Sequence, residues 1–491
     1  MGHARSVVAL VAATCAFGIL AGCTTSLPAE PPDDEPTEST IEPSAEESEG
    51  LDRSAHPLGA KWVWAEFDKA KPFLAELGGG HTYVEVVLCN VQSAPGVWDW
   101  SVPDSQVSRA RDIGFGSLVK LRTGRCWATP GFPKHLRGQG VTESAMPQDM
   151  AVYADFVDQA VRRYTELGVT EFAIENEVSS PYFWDGTPQE YATLARAAAE
   201  AIHAAAPDAL VVDASVSSAA TGYVVADGLI SQGKEAEAVD FYQTYYERRF
   251  GTRSGDASID AVSSPEELRE ELVRPGPVRA ISYMRAIDEL LAQGVFQVRQ
   301  VHFYENWQAL PMTLDYIRGN TPDDVPMEMW ELGIWHDDRT IPDDQRTAEV
   351  VKATVIALGA GVQKVLWLPL LDNPNGRQGA TLYGLVSPSG EPRGSLNSYM
   401  LLARAAADHA IVAPVASERV MGATFDSTSS TLVAWASMGE VPLPPISDAT
   451  GTILDDQTWM SGTGDVPVTL GSQPVLMTTS GAVTVFDELL R

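Results

Sequence analysis

The sequence predicts a (β/α)8 barrel followed by a small antiparallel β-module. Three observations carry that prediction. From Lys61 onward, short apolar runs alternate with amphipathic stretches, the pattern of parallel strands joined by helices. Eight such runs precede Ala407, the number that closes a barrel. After Ala407 the periodicity changes to short β-rich runs broken by Gly, Pro, Ser and Asp.

In chain order the barrel strands are expected at 62–67, 83–89, 117–122, 171–177, 210–215, 298–304, 327–331 and 364–369. Between them, helical spacing of apolar residues is read at 150–167, 188–205, 278–292 and 346–358. An open doubly wound sheet would carry a Gly-rich phosphate loop after an early strand, and the sequence has none. A long insertion at 219–276, with a charged run at 266–271, separates the fifth and sixth strands. Placed there it lies on the C-terminal face of a barrel, either as a wall of a substrate cleft or as peripheral decoration. The barrel is expected over 51–407 and a β-sandwich-like module over 408–491, with strands at 419–425, 431–436, 467–470 and 474–479.

Arg5 and an apolar run from Val7 to Leu20 open the chain, too short a run to cross a bilayer as a stable helix. The following Leu20-Ala21-Gly22-Cys23 resembles the lipobox of bacterial lipoproteins. That resemblance implies a signal peptide over 1–23 and export. Cys23 would then be the lipid-modified anchor on the outer face of the cell membrane. Residues 24–50 hold no Lys or Arg and are dominated by Pro, Glu, Asp, Ser and Thr, so they are expected to form a disordered tether.

Acidic residues number 66 against 34 basic, a net charge of −32. Binding to nucleic acid or anionic lipid relies on clustered Lys and Arg, so neither partner is expected, and membrane attachment would be covalent. Of the four cysteines, Cys15 falls in the signal and Cys23 is the anchor. Cys89 and Cys126 then stand at the ends of two successive strands, where export permits a disulfide, and they are expected to pair.

Two strands end in carboxylates: Ala173-Ile174-Glu175-Asn176-Glu177 and Met327-Glu328-Met329-Trp330-Glu331. A buried carboxylate costs several kcal/mol unless something pairs with it or uses it. Strand alternation places Glu175 and Ala173 on the face of Glu177. It likewise places Met327 and Met329 with Glu331, leaving Glu328 and Trp330 facing the helices. Glu331 is therefore preferred over Glu328 as the functional group. His302 and Tyr304 share a face of the sixth strand, and a Tyr hydroxyl beside a carboxylate keeps it ionised. Trp184, Trp307, Trp335 and Trp367 follow or end strands and are candidate flat platforms for a sugar ring.

These residues resemble clan GH-A retaining glycosidases. The run Glu175-Asn176-Glu177, then Phe183-Trp184-Asp185-Gly186-Thr187-Pro188, and the earlier Pro95-Gly96-Val97-Trp98-Asp99-Trp100, are most similar to glycoside hydrolase family 39. The resemblance implies double displacement, with Glu331 as nucleophile and Glu177 as acid/base roughly 5 to 5.5 Å away. It implies that Asn176 binds the 2-hydroxyl, that Tyr304 holds Glu331, and that His302 and Trp367 line the same subsite. It implies a carbohydrate substrate and no metal or organic cofactor.

Two positions depart from the family pattern. Val178 stands where Pro is usual, and Glu85 stands near the place of an expected Arg, for which Arg122 or Arg125 could substitute. The missing Arg keeps open a second reading, a catalytically silent barrel that binds glycan. A metallohydrolase built on His302 is the weakest reading, because metal-dependent barrels gather several His ligands and this chain has eight His in all.

Overall fold

The computed structural model describes residues 56–131, 134–136, 140–254, 257–335, 341–374, 381–407, 410–427, 429–443, 449–455, 458–463 and 469–479. The expected signal peptide, the expected anchor Cys23 and the expected tether all fall outside the described residues.

Eight strands form the barrel: β1 (Leu58–Ala60), β2 (Gly80–Val87), β3 (Phe115–Arg122), β4 (Glu171–Ile174), β5 (Leu210–Val212), β6 (Arg299–Phe303), β7 (Met327–Leu332) and β8 (Val365–Trp367). They pair in parallel as two half-sheets, β2-β3-β4-β5 and β1-β8-β7-β6. A parallel bridge between Val212 and Val298 joins the halves on one side. On the other side β1 lies so close to β2 that a Cβ on Gly59 would stand 2.1 Å from the His81 carbonyl oxygen. Only glycine fits there.

The helices of eight residues or more among the described residues are α1 (Phe67–Leu77), α2 (Ser101–Asp112), α3 (Met150–Thr165), α4 (Pro188–Ala205), α5 (Ser218–Ser231), α6 (Glu235–Tyr246), α7 (Pro265–Leu272), α8 (Pro275–Ala292), α9 (Leu310–Gly319), α10 (Asp343–Gly359) and α11 (Gly394–Ala405). The local sequence sets α4 at its N-terminus and along one face. Thr187 accepts from the Glu190 amide while the Glu190 side chain accepts from the Thr187 amide, and Pro188 opens the first turn. Tyr191, Leu194, Ala195, Ala198 and Ile202 then form its buried stripe.

The first strand is a correction. The expected strand over 62–67 is instead a loop, a 3-10 turn and the start of α1, and the barrel strand comes earlier, at Leu58–Ala60. Trp62, Trp64 and Phe67 looked like strand residues because they are apolar. They pack on one another as an aromatic cluster with ring centroids 4.9 to 6.0 Å apart.

The C-terminal strands β9 (Ile411–Ala416), β10 (Val420–Asp426), β11 (Ser430–Ala436), β12 (Ala449–Asp455), β13 (Thr458–Thr463) and β14 (Val475–Thr479) form one antiparallel sheet in the order β9-β10-β11-β14-β12-β13. Helix α10 packs against this sheet as well as against α11, which explains why it is buried on every side from Arg346 to Leu358. Trp307 meets Trp435 edge-on at 6.0 Å across this junction, with the Lys352 ammonium 4.5 Å from the Trp307 ring.

Candidate active site

An apolar layer fills the barrel: Tyr83, Leu118, Ala173, Val212, Val298, Trp330 and Leu366. Towards the N-terminal ends of the strands, Lys364 binds both Glu171 and Glu328, and Glu328 also accepts from the Trp330 indole at 2.7 Å. Towards the C-terminal ends, Lys120, Asn176, Glu177, His302, Tyr304 and Glu331 converge.

A bulge in β7 decides which carboxylate arrives there. Against β6, Gln300 pairs with Glu328 but His302 pairs with Glu331; against β8, Val365 pairs with Met329 but Trp367 pairs with Leu332. Strand β7 thus holds one residue more than either neighbour. Trp330 enters the barrel interior, Met327 and Met329 pack in the outer core, and the extra residue turns Glu331 into the mouth. This corrects the expected alternation, in which Met327 and Met329 shared the face of Glu331. Glu328 is a salt-bridge residue, as expected, but inside the barrel.

The strand-four carboxylates are set by backbone geometry. β4 ends at Ile174, and Glu175 and Glu177 adopt φ of 69° and 41°, left-handed values costly for a residue with a side chain. Hydrogen bonds hold both: the Glu175 amide donates to Leu121 O and the Glu177 amide to Ala214 O, each at 2.9 Å. The turn separates the side chains that alternation had placed together. The Glu175 carboxylate accepts from the Thr123 amide at 2.7 Å and lies 3.7 Å from Arg122, while Glu177 meets His302 Nδ1 at 2.9 Å.

His302 carries a definite hydrogen-bond assignment. Gln300 donates its amide NH2 to Asp213 O at 2.6 Å, so its Oε1 turns to His302 Nε2, also at 2.6 Å, and that nitrogen must bear a proton. The contact from Nδ1 to Glu177 then requires a proton on one of the two groups.

Glu331 is the most heavily supported group in the mouth. Lys120 Nζ donates to Oε1 at 2.7 Å, Tyr83 to Oε1 at 3.1 Å and Tyr304 to Oε2 at 2.9 Å. Burial pushes its pKa up, but His302 and Lys120 and the hydrogen bonds from Lys120 and Tyr304 outweigh burial and bring it down to about 2. One ligand atom each of Glu177, His302 and Glu331 lie within 4.8 Å of one another. Such a trio could gather round a metal ion, but Lys120 already places a positive charge on Glu331 and three donors occupy its oxygens. The donor set suits an isolated carboxylate facing a second carboxyl group.

Similar folds occur among solved structures. A family 39 glycoside hydrolase from Bacteroides cellulosilyticus WH2 aligns over 87% of this chain and 82% of its own, at 12% identity and a TM-score of 0.57. A family 39 β-xylosidase from Caulobacter crescentus aligns over 87% and 96%, at 14% identity and a TM-score of 0.55. A glucosidase from Croceicoccus marinus aligns over 87% and 95%, at 12% identity and a TM-score of 0.51. The chain shares the (β/α)8 barrel fold of these glycoside hydrolases. No family model and no curated protein matches the sequence.

Within this barrel, the cation beside Glu331 is Lys120, which sequence reasoning missed. Arg122 binds Glu85 and Glu143, each at 2.9 Å, and Arg125 binds Asp185, so neither reaches Glu331. The signal was present: Lys120 is a single charge in the apolar strand run Leu118-Val119-Lys120-Leu121, and such a charge needs a partner. Tyr83 was missed too, because nothing local marks its hydroxyl as different from a core tyrosine.

Of the candidate platforms, Trp184 and Trp367 are fully buried. Trp184 packs on Tyr191, and Trp367 packs on Tyr399 and donates to Tyr383 O at 3.3 Å, so neither offers a face to the mouth. Trp307 belongs to the junction with the C-terminal sheet. Trp335 alone of the four stays beside the site, half-buried, its amide bonded to Tyr304 O at 2.6 Å and its ring under the Arg249 guanidinium at 4.3 Å. Arg249 comes from the insertion and pairs with Glu305, which also accepts from Ser218. The insertion therefore buttresses the strand end that carries Tyr304. Cys89 and Cys126 form a disulfide between the ends of β2 and β3, with Cα atoms 5.4 Å apart.

Proposed function

We propose that this protein is a retaining glycoside hydrolase in which Glu331 is the nucleophile and Glu177 the acid/base. The observation that carries the reading is the placing of Glu331, which accepts from Lys120, Tyr83 and Tyr304, within 4.8 Å of Glu177, which meets His302. In the first step a Glu331 oxygen bonds to the anomeric carbon, the bond to the leaving oxygen breaks, and that oxygen takes the proton from Glu177. In the second, water attacks the same carbon, Glu177 takes its proton, and Glu331 leaves as a carboxylate. The close spacing leaves no room for the water that an inverting mechanism places between its carboxylates.

His302 holds Glu177 and shares its proton, and Tyr304 and Tyr83 stabilise the charge that returns to Glu331 on hydrolysis. Asn176 stands beside the pair to bind the 2-hydroxyl. The fold neighbours named for β-xylosidase and glucosidase activity support a β-linked pentose or hexose as the unit removed. Lys120 supplies the cation whose absence had favoured a silent glycan-binding barrel. The motif ending at Cys23 supports export and lipid anchoring, tested by release of Cys23→Ala protein from the membrane fraction.

Hydrolysis of p-nitrophenyl β-D-xyloside and β-D-glucoside by residues 51–491, with the first-formed anomer followed by NMR, tests the reading. Retained configuration and loss of turnover in Glu331→Gln are expected. Inverted product overturns the mechanism; binding of sugar without turnover in the wild type returns the silent barrel.

A further inference from the structure

We propose that Lys120 is a positioning residue with two roles: it holds Glu331 as an anion and fixes the Asn176 amide with its NH2 group toward the sugar. The inference rests on the retaining-glycosidase reading and adds a link between charge support and recognition of the 2-hydroxyl.

The Lys120 side chain is fully buried, and its Nζ lies 2.7 Å from Glu331 Oε1 and 2.6 Å from Asn176 Oδ1. Tyr83 covers it, with the ring centroid 4.0 Å from Nζ. An ammonium group donates and never accepts, so Asn176 must turn its carbonyl oxygen to Lys120 and its NH2 away from it. None of the described residues accepts from that NH2 group. Asn176 precedes Glu177 in the turn and shares Lys120 with Glu331, so its free donor stands beside both reacting carboxyl groups. The hydroxyl nearest the anomeric carbon is the one on C2, and it is the acceptor such a donor meets.

The register shows why the cation comes from β3. Glu85 of β2 pairs directly with Lys120 of β3, and Glu85 is bound by Arg122. An acid thus occupies the strand-two position where the family pattern leads one to expect a base, and the base stands one strand over. The compact lysine head, with three donors on one nitrogen, bridges acceptors from two different strand ends here. One ammonium group therefore sets both the charge state of Glu331 and the orientation of Asn176.

The experiment uses the aryl β-glycoside that the wild type cleaves fastest and its 2-deoxy counterpart, with Lys120→Met, Lys120→Arg and Asn176→Ala. For Lys120→Met, kcat/KM is expected to fall about 100-fold or more, chiefly in kcat, because the lost charge acts on the reacting carboxylate. Its acid limb should rise by about one pH unit or more once the cation no longer favours ionised Glu331. The wild-type preference for the 2-hydroxyl substrate should shrink toward that of Asn176→Ala. Lys120→Arg should bring the acid limb back, since it restores a cation. A folded Lys120→Met with unchanged acid limb and unchanged 2-hydroxyl preference overturns the inference, even if its activity is low. If Lys120→Met does not fold, Lys120→Gln is judged by the same two readouts. A wild type that cleaves no glycoside overturns the underlying reading; a working wild type with both readouts unmoved overturns this inference alone.

Discussion

Trp330 and Glu331 are consecutive in β7, yet both turn into the barrel, because β7 carries one residue more than β6 and β8 between Met329 and Glu331. The bulge assigns the strand's two carboxylates to separate tasks. Glu328 joins the Lys364 network with Glu171, and Glu331 joins Lys120, Tyr83 and Tyr304 at the mouth.

That division predicts opposite phenotypes for one substitution at two sites. Glu328→Gln should keep turnover within a few-fold while lowering stability by about 1–3 kcal/mol, since Lys364 loses one charge-assisted partner but keeps Glu171. Glu331→Gln should abolish turnover, with a fall of at least roughly 10⁴-fold in kcat expected for a lost nucleophile. Chemical denaturation and initial rates on both variants check this, and equal loss of activity would contradict the division.

The acid limb of kcat/KM should report Glu331. Its pKa is brought down to about 2, burial being outweighed by His302, Lys120 and the hydrogen bonds it accepts. In the proposed mechanism Glu331 attacks only when ionised, so activity should persist as pH falls through 4 and fail only as the pH approaches that value. Rates measured on briefly exposed enzyme, with stability followed in parallel, separate this limb from unfolding. A limb at pH 5 would mean that the Lys120 contact does not hold in solution.

Glu171 should make stability fall as pH rises through the weakly acidic range. Burial, and then Glu328 beside it, raise its pKa from 4.5 to about 7 against the opposing pull of Lys364. The folded state therefore binds more protons than the unfolded chain between those two values. Stability contributed by protonated Glu171 is complete below 4.5 and lost by about 7. Glu331 has the opposite sign: its stabilisation is present above 4.5 and lost as pH falls toward about 2. Melting temperatures of wild type and Glu171→Gln from pH 4 to 8 test the first window. The variant should lose the downward slope, and an identical slope in both proteins would rule out Glu171 as its source.

The disulfide joins residues 37 apart, and opening a loop of that length typically costs about 2–4 kcal/mol. Cys89→Ser/Cys126→Ser protein should melt several degrees lower than the oxidised wild type. Reducing agent should lower the melting temperature of the wild type to the same value and leave the double variant unchanged. If reduced and oxidised protein melt together, the bridge adds no stability.

Much of the barrel was legible in the sequence because its signals are local. Helix α4 was read at 188–205 and occurs at Pro188–Ala205, since its cap, its opening proline and its apolar stripe all lie within or beside it. Strand β3 was read within two residues of its observed start and at its observed end, as a buried run bounded by turns. Glu177 and Glu331 stood out as carboxylates closing apolar runs, where a charge without a task would be costly. The order of elements and the chemistry of the strand ends thus follow from residues close to one another in the chain.

The tertiary structure decided the rest, because the deciding contacts come from other strands. Alternation along β7 could not show a bulge that exists only relative to β6 and β8. The sequence marks Lys120 as a buried charge that needs a partner but does not name the partner: Lys120 reaches Glu331, whereas Arg122, two residues on, is taken by Glu85 and Glu143. Likewise, Trp184 and Trp367 became core, Trp307 a junction residue and Trp335 a neighbour of the site according to what the surrounding helices and sheet brought against each ring. Residue type fixes what a side chain can do; the packing of distant elements fixes which partner it meets.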